Sequence, residues 1–161
     1  MSISLIRDKM IEYYKGDAKR INHLLKVEAY ATIIAEKEKV SSDIFTIISI
    51  LGYIHDIGIK LAQEKYSSTS GKLQEKLGEE PARNLVLECG FSKAVADRVS
   101  YIVAHHHTYE NINGLDHQIL IESDILVNIF EDDISPTIIP TIKQNIFKTK
   151  TGLQLLNTLY N

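Results

Sequence analysis

The 161 residues are enough for one domain with a substantial hydrophobic core. A hydrophobic content of 44% and a charged content of 24% are ordinary for a soluble globular protein. The formal net charge of −3 gives no support for a protein that binds a nucleic-acid polymer or a membrane surface. The single cysteine, Cys89, excludes an internal disulfide and indicates a reducing compartment, so we expect a cytoplasmic protein in which Cys89 is a small buried residue.

The sequence predicts an all-α chain. Strand-like alternation is scarce and there are only three prolines, two of them in the tail. No signal peptide is predicted, because the N-terminus has no long apolar core followed by small residues. The longest apolar run, residues 44–54, is interrupted by polar residues and is too short to span a bilayer.

Three helices are predicted in the first third of the chain, over residues 3–14, from Asp17 to about residue 37, and from residues 41–43 to 55–56. Gly58 is expected to end the third in a left-handed conformation. His23 and His55 each fall on the apolar face of their helix, so both should point at the core. The spacings that place them there are His23, Val27, Tyr30 and Ile34 in the second helix, and Ile44, Ile47, Ile48, Leu51 and His55 in the third.

The second half begins with residues 60–80, whose polar composition predicts a flexible loop that could cover a site. Lys60 and Arg83 could meet an anionic substrate, although nearby glutamates nearly cancel the local charge. Pro81 is expected in the first turn of a helix that ends near residue 90.

A helix starting at Ser92 places His106 on its inner face, flanked by His105 and His107. The next helix is predicted to run from an Asp116 cap to about residue 130, with Asp124 among apolar neighbours. Residues 131–133 should form a solvated acidic turn, and a last helix should lie between about residues 143 and 160. His117 is expected at the surface or as a cap.

Several helices therefore aim imidazole or carboxylate groups at one core. The inward groups belong to His23, His55, Asp56, His106 and Asp124. Left unpaired, each would cost about 1–3 kcal/mol in desolvation. One or two divalent cations would satisfy them together, and this ligand set suits Mn, Fe, Co, Ni or Zn, and Mg less well.

The order His23, then His55-Asp56, then Asp124 resembles the HD superfamily of metal-dependent phosphohydrolases. The doublet stands in Ile54-His55-Asp56-Ile57-Gly58, close to the HD-I-G variant, and residues 121–128 look like the family's closing helix. The likeness covers roughly residues 18–131. The hypothesis is thus one HD-type domain over residues 1–161, in which residues 132–161 form a helical extension.

The resemblance implies a compact all-helical bundle in which His23, His55, Asp56 and Asp124 hold a divalent metal. It implies hydrolysis of a phosphate ester of a small anionic substrate, with a nucleotide among the candidates, and catalytic roles for His55 and Asp56. His106 and His107 resemble the second-metal or phosphate ligands of two-metal members. This chain departs from those members because no histidine lies between His55 and His105.

Two other functions stay open at this stage. A few relatives of this fold use a di-iron centre for oxygenation, which the histidine run would allow. A non-catalytic domain that senses a ligand is the other alternative. The Gly-Tyr-Pro signature of the cyclic-dinucleotide subgroup does not follow the histidines. An apolar strip on the tail helix could mediate a homodimer, although core packing explains it equally.

Overall fold

Helix is the only regular secondary structure in the computed structural model, which describes residues 2–160. The predicted all-α fold class is therefore confirmed. The described helices are α1 (Ile3–Tyr13), α2 (Ala18–Lys37), α3 (Ser42–Ile54), α4 (Gly58–Tyr66), α5 (Gly71–Glu88), α6 (Lys93–Val103), α7 (Gly114–Glu131), α8 (Ile139–Ile146) and α9 (Lys150–Tyr160).

Polar caps fix the starts of three helices where the sequence predicted them. The Asp17 carboxylate accepts the backbone N–H of Arg20 at 2.9 Å and begins α2. Ser41 and Ser92 accept a backbone N–H in the same way at the starts of α3 and α6. Such caps satisfy donors that have no partner inside the helix.

The central packing brings α2 against both α3 and α7, while α5 lies between α4 and α6. At the contact of α2 with α3, a Cβ on Gly52 would lie 2.6 Å from the Cα of Glu28. The two helices can therefore approach this closely only because residue 52 has no side chain. α2, which carries His23, and α3, which leads directly into His55, are in this way held side by side.

The end of α3 differs from the prediction. The helix ends at Ile54, and Gly58, which is not left-handed, begins α4 instead of closing α3. Gly58 is needed for packing, since a Cβ there would lie 2.2 Å from the carbonyl oxygen of Gln74. His55 and Asp56 thus occupy a tight turn between two helices that is clamped from outside by α5.

The predicted loop over residues 60–80 is wrong. Residues 58–66 and 71–88 are helical, only residues 67–70 link them, and Pro81 lies inside α5 rather than in its first turn. The buried face of α5 is formed at intervals of four residues by Gln74, Gly78, Ala82 and Val86. Two of these residues are small and one is polar, so the face is helical in spacing but weak in hydrophobicity.

Two helices, not one, form the tail. α8 and α9 are separated by residues 147–149, and Pro140 lies in the first turn of α8. The N-terminus of α9 is held by two carboxylates: Glu122 accepts the backbone N–H of Thr149 at 2.9 Å, and Glu38 accepts that of Thr151 at 2.8 Å. Negative groups at this end of a helix are favourable.

Residues 42–66, which span α3 and α4, form a longer apolar stretch than the run of residues 44–54 indicated. By length and composition the stretch could cross a membrane. However, 67% of its most apolar window is buried inside the protein. That burial is the pattern of a core helix.

Candidate metal centre

Two buried histidines are held in one ring orientation by backbone carbonyl groups. His55 donates from Nδ1 to the carbonyl oxygen of Leu51 at 3.2 Å, and His106 donates from Nδ1 to that of Val103 at 2.7 Å. A carbonyl oxygen can only accept, so Nδ1 carries the proton in both rings. The Nε2 atom of each ring is therefore the one directed at the centre of the cluster.

His23 is fixed by a carboxylate that the sequence analysis assigned to a solvated turn. Its Nδ1 lies 2.8 Å from Oε2 of Glu131, at the end of α7, and the other oxygen of Glu131 contacts the ammonium group of Lys26. Glu131 is therefore not simply solvated. A carboxylate on the far nitrogen of a histidine is the arrangement that orients metal-ligating imidazoles.

The four predicted ligands converge. Oδ1 of Asp124 lies 3.2 Å from Nε2 of His23 and 3.4 Å from Nε2 of His55. In Asp56, Oδ2 lies 3.7 Å from Nε2 of His23 and Oδ1 lies 3.8 Å from Nε2 of His55. One ligand atom from each of His23, His55 and Asp56 falls within a 4.8 Å group, so these residues could hold a metal ion.

The inner atoms of this cluster are not satisfied by the protein. Nε2 of His23, Nε2 of His55 and Oδ1 of Asp124 are buried, and none is aligned for a hydrogen bond within the described part of the chain. Buried polar atoms without a partner are costly. Two imidazole nitrogens and two carboxylates around one point are also a donor set that suits a divalent transition metal. The residues therefore fit such a cation.

Charge in the cluster is arranged to favour a cation. Burial opposes the charged form of His23, but the carboxylates of Asp124, Asp56 and Glu131 outweigh it and raise the pKa of His23 to about 9. Burial also opposes ionisation of Asp56 and Asp124. The attraction of the adjacent imidazoles, joined at Asp56 by that of Arg20, outweighs burial at both and holds each carboxyl pKa well below its usual value.

A second group of ligands adjoins the first. Nε2 of His106 lies 3.4 Å from Oδ1 of Asp56, and His107 completes a triad that could hold a metal ion. The side-chain amide of Gln74 links His107 to the segment of residues 67–70. Its oxygen lies 3.1 Å from Nε2 of His107, and its nitrogen donates to the carbonyl oxygen of Thr69. Burial, with the nearby His106, lowers the pKa of His107 to about 4, so its imidazole is neutral.

Two residues that the sequence analysis missed hold Asp56 in place. Nη1 of Arg20 lies 2.6 Å from Oδ2 of Asp56, and the hydroxyl of Tyr14 donates to the Asp56 carbonyl oxygen at 2.8 Å. Arg20 lies three residues before His23, on an adjacent part of the α2 surface, and this spacing is the only sequence signal that could have identified it.

The cluster opens into a cavity of about 420 Å³ that includes Arg20, His23, Asp56, His107 and Asp124 in its wall. The two suggested substrate-binding cations lie elsewhere. The ammonium group of Lys60 donates to the Tyr13 carbonyl oxygen and faces a different cavity. Arg83 pairs with Asp97 across α5 and α6, with Nε 2.8 Å from Oδ1. Each of these long side chains binds a partner outside the metal cluster, and the spacing of residues in the sequence does not identify that partner.

Three other residues, His105, His117 and Cys89, lie outside the cluster. His105 stacks on Tyr101 and donates to its carbonyl oxygen. His117 is buried, so the expected surface position is wrong, but its Nδ1 accepts the N–H of Asn113, the cap of α7. α7 therefore begins before Asp116. Cys89 is buried, as expected.

The fold and the site together define a helical protein with a buried His/Asp cluster that could hold a divalent metal. The HD domain family model matches residues 20–132. The chain belongs to the HD domain family, whose members are generally metal-dependent hydrolases.

Among solved structures, the chain is similar to a predicted HD superfamily hydrolase from an uncultured Thermotogales bacterium. The two share 24% sequence identity and a TM-score of 0.72, and the match covers 96% of this chain and 83% of the other. This likeness shows a common fold. None of the curated proteins matches the chain.

Proposed function

We propose that the protein is a metal-dependent phosphohydrolase that cleaves a phosphate ester of a small anionic substrate. His23, His55, Asp56 and Asp124 would hold the divalent cation. When bound, such a cation lowers the pKa of a coordinated water and polarises the phosphoryl oxygen. The observation that carries the proposal is the set of buried Nε2 and Oδ1 atoms, without a partner among the described residues, that lie around one point beside a cavity lined by His23, Asp56 and Asp124.

The protein's own groups prepare the ligands. Glu131 and the Leu51 carbonyl oxygen accept the Nδ1 protons of His23 and His55, so Nε2 is the inward nitrogen of each ring, and its lone pair is available to a cation when the ring is neutral. Arg20 occupies Oδ2 of Asp56 and leaves Oδ1 directed toward the imidazoles. Pre-oriented groups do not have to reorganise when charge develops at the reacting phosphate.

Arg20 has a further use in the reaction. Its Nε is buried with no partner in the described part of the chain, and its side chain lines the cavity. A guanidinium group bonds phosphate oxygens in a planar, bidentate manner. We therefore assign Arg20 to the phosphate as well as to Asp56, with the substrate oxygens reaching the nitrogens that Asp56 leaves free.

The test is turnover of p-nitrophenyl phosphate and a panel of phosphate esters with added Mn, Co, Ni, Zn or Mg. Wild-type protein should require a metal, and Asp56→Ala should lose at least about 1,000-fold in kcat, since removing a metal ligand removes the electrostatic stabilisation of the transition state. Full activity in a folded Asp56→Ala variant would overturn the assignment.

A di-iron oxygenase is a second candidate, because Asp56, His106 and His107 form another possible metal group beside the first. It requires two redox-active irons in each chain. A single non-redox metal in the active protein would exclude it. Tight ligand binding without turnover under any metal would instead favour a sensing domain.

A further inference from the structure

The wall of the site cavity is mostly polar. Among the described residues that line it, Ile59 is the only aliphatic one, and there is no Phe or Tyr ring. Sites that bind bases often stack the base on an aromatic side chain. Apart from the imidazoles of His23 and His107, the described residues that line this cavity carry no ring for such stacking.

The wall instead offers uncharged hydrogen-bonding groups. Asn128 follows Asp124 by one turn of α7, is half-buried, and its side-chain amide has no partner within residues 2–160. The side chains of Gln63 and Thr69 also line the cavity; both residues are exposed, and neither side chain has a hydrogen-bond partner within residues 2–160. Amide and hydroxyl groups both donate and accept, so they match the hydroxyl groups of a polyol or sugar.

Charge limits the number of phosphate groups. The cavity wall carries two cationic side chains, Lys19 and Arg20, against five carboxylates, and one of those carboxylates, Glu131, is neutralised by Lys26 from outside. One divalent cation added to this wall does not produce a positive cavity. A single phosphate can be held by the cation and Arg20, whereas a triphosphate would bring further negative charge against Asp17 and Asp132.

We propose that the substrate is a phosphate monoester with one phosphate group and a hydroxyl-rich, non-aromatic remainder, such as a pentose phosphate. This proposal rests on the phosphohydrolase function proposed above. Arg20 takes the phosphate, and Asn128 and Gln63 hydrogen-bond the hydroxyl groups of the leaving alcohol. Hydrolysis adds the elements of one water across the P–O bond, releasing inorganic phosphate and the free alcohol.

The first experiment compares metal-loaded wild-type protein on ribose 5-phosphate, AMP, ATP and p-nitrophenyl phosphate. The expected order of kcat/KM is ribose 5-phosphate above AMP and AMP above ATP. Cleavage of p-nitrophenyl phosphate with AMP or ATP preferred over ribose 5-phosphate overturns this inference and leaves the phosphohydrolase function standing.

The relative affinities for ribose 5-phosphate and AMP test the substrate class independently of turnover. Titration calorimetry of the metal-loaded protein should give a tighter Kd for ribose 5-phosphate than for AMP. The opposite order of affinities overturns the inference even where no ester is cleaved, and absence of cleavage of every ester defeats the proposed function separately.

The Asn128→Leu variant tests the wall itself. Loss of one hydrogen bond to a hydroxyl should lower the kcat/KM ratio of ribose 5-phosphate to p-nitrophenyl phosphate by about 3- to 10-fold. The matched control is Asn145→Leu, an exposed position on α8, which should leave the ratio unchanged. Asn128→Asp and Asn128→Ser retain an acceptor and should lose less than the leucine variant. An unchanged ratio in a folded Asn128→Leu protein contradicts the assignment.

Discussion

Glu131 provides a sharp test of how the metal ligands are positioned. Its carboxylate lies 2.8 Å from Nδ1 of His23, and its side chain is only 12% exposed, so the bond is little weakened by solvent. Removing the outer partner of a metal-ligating histidine typically costs 10–100-fold in metal affinity, or about 1.4–2.7 kcal/mol. Glu131→Ala should show this loss. Glu131→Gln should lose less, because an amide oxygen still accepts the N–H.

The assay is competition between the protein and a chromophoric chelator for Mn²⁺ or Zn²⁺, with circular dichroism to confirm folding. Lys26→Met is the matched control, since it removes the other partner of Glu131 and leaves the His23 contact in place. The Lys26 side chain is 46% exposed, so this variant should change the affinity by less than about threefold. Wild-type affinity in a folded Glu131→Ala protein would refute the reasoning.

Cation binding should release at least one proton at pH 7, because His23 has a pKa of about 9 and is protonated there, whereas a ligand must be neutral. Affinity should then rise by about tenfold per pH unit up to about pH 9, and calorimetry in two buffers of different ionisation heat counts the protons. A pH-independent affinity would contradict this. Glu122→Ala should lower the free energy of unfolding by about 3–5 kcal/mol, because the fully buried carboxylate accepts four hydrogen bonds. Urea denaturation measures the loss, exposed Glu110→Ala should change it by less than about 0.5 kcal/mol, and equal stabilities would contradict the anchoring role. Arg20→Met should raise KM for p-nitrophenyl phosphate at least about tenfold, with partial recovery in Arg20→Lys; an unchanged KM would remove Arg20 from the phosphate.

Helical periodicity found the inward-facing imidazoles, although the helices are shorter than predicted: α3 ends at Ile54 and α6 at Val103, so His55 and His106 lie in the turns that follow. His23 and His55 repeat with apolar residues on one face, and the helices bury that face. Such patterns depend only on neighbours along one helix. Glu131 could not be found in this way, since its contact with His23 joins positions 108 residues apart and depends on how α7 packs against α2.

The region after Asp56 shows where hydrophobic patterning fails. α5 buries a face that includes Gly78 and Ala82. A small residue is needed at position 78, because a Cβ there would lie 2.9 Å from the Val103 side chain. A helix face made of small residues for close packing against a neighbouring helix has little hydrophobicity. Its hydrophobic pattern is therefore too weak to predict a helix, and a loop is predicted instead. Abundant Leu, Glu, Lys and Gln, which favour helices, was the available signal.

The most direct test of the central claim is the metal content of protein purified without chelator or metal-affinity resin. Elemental analysis and titration should find at least one divalent transition metal per chain in the wild type, and Asp124→Asn and His23→Ala should each lose it while remaining helical. Wild-type protein that binds no divalent metal, or variants that bind it as tightly as the wild type, would contradict a metal centre built from His23, His55, Asp56 and Asp124.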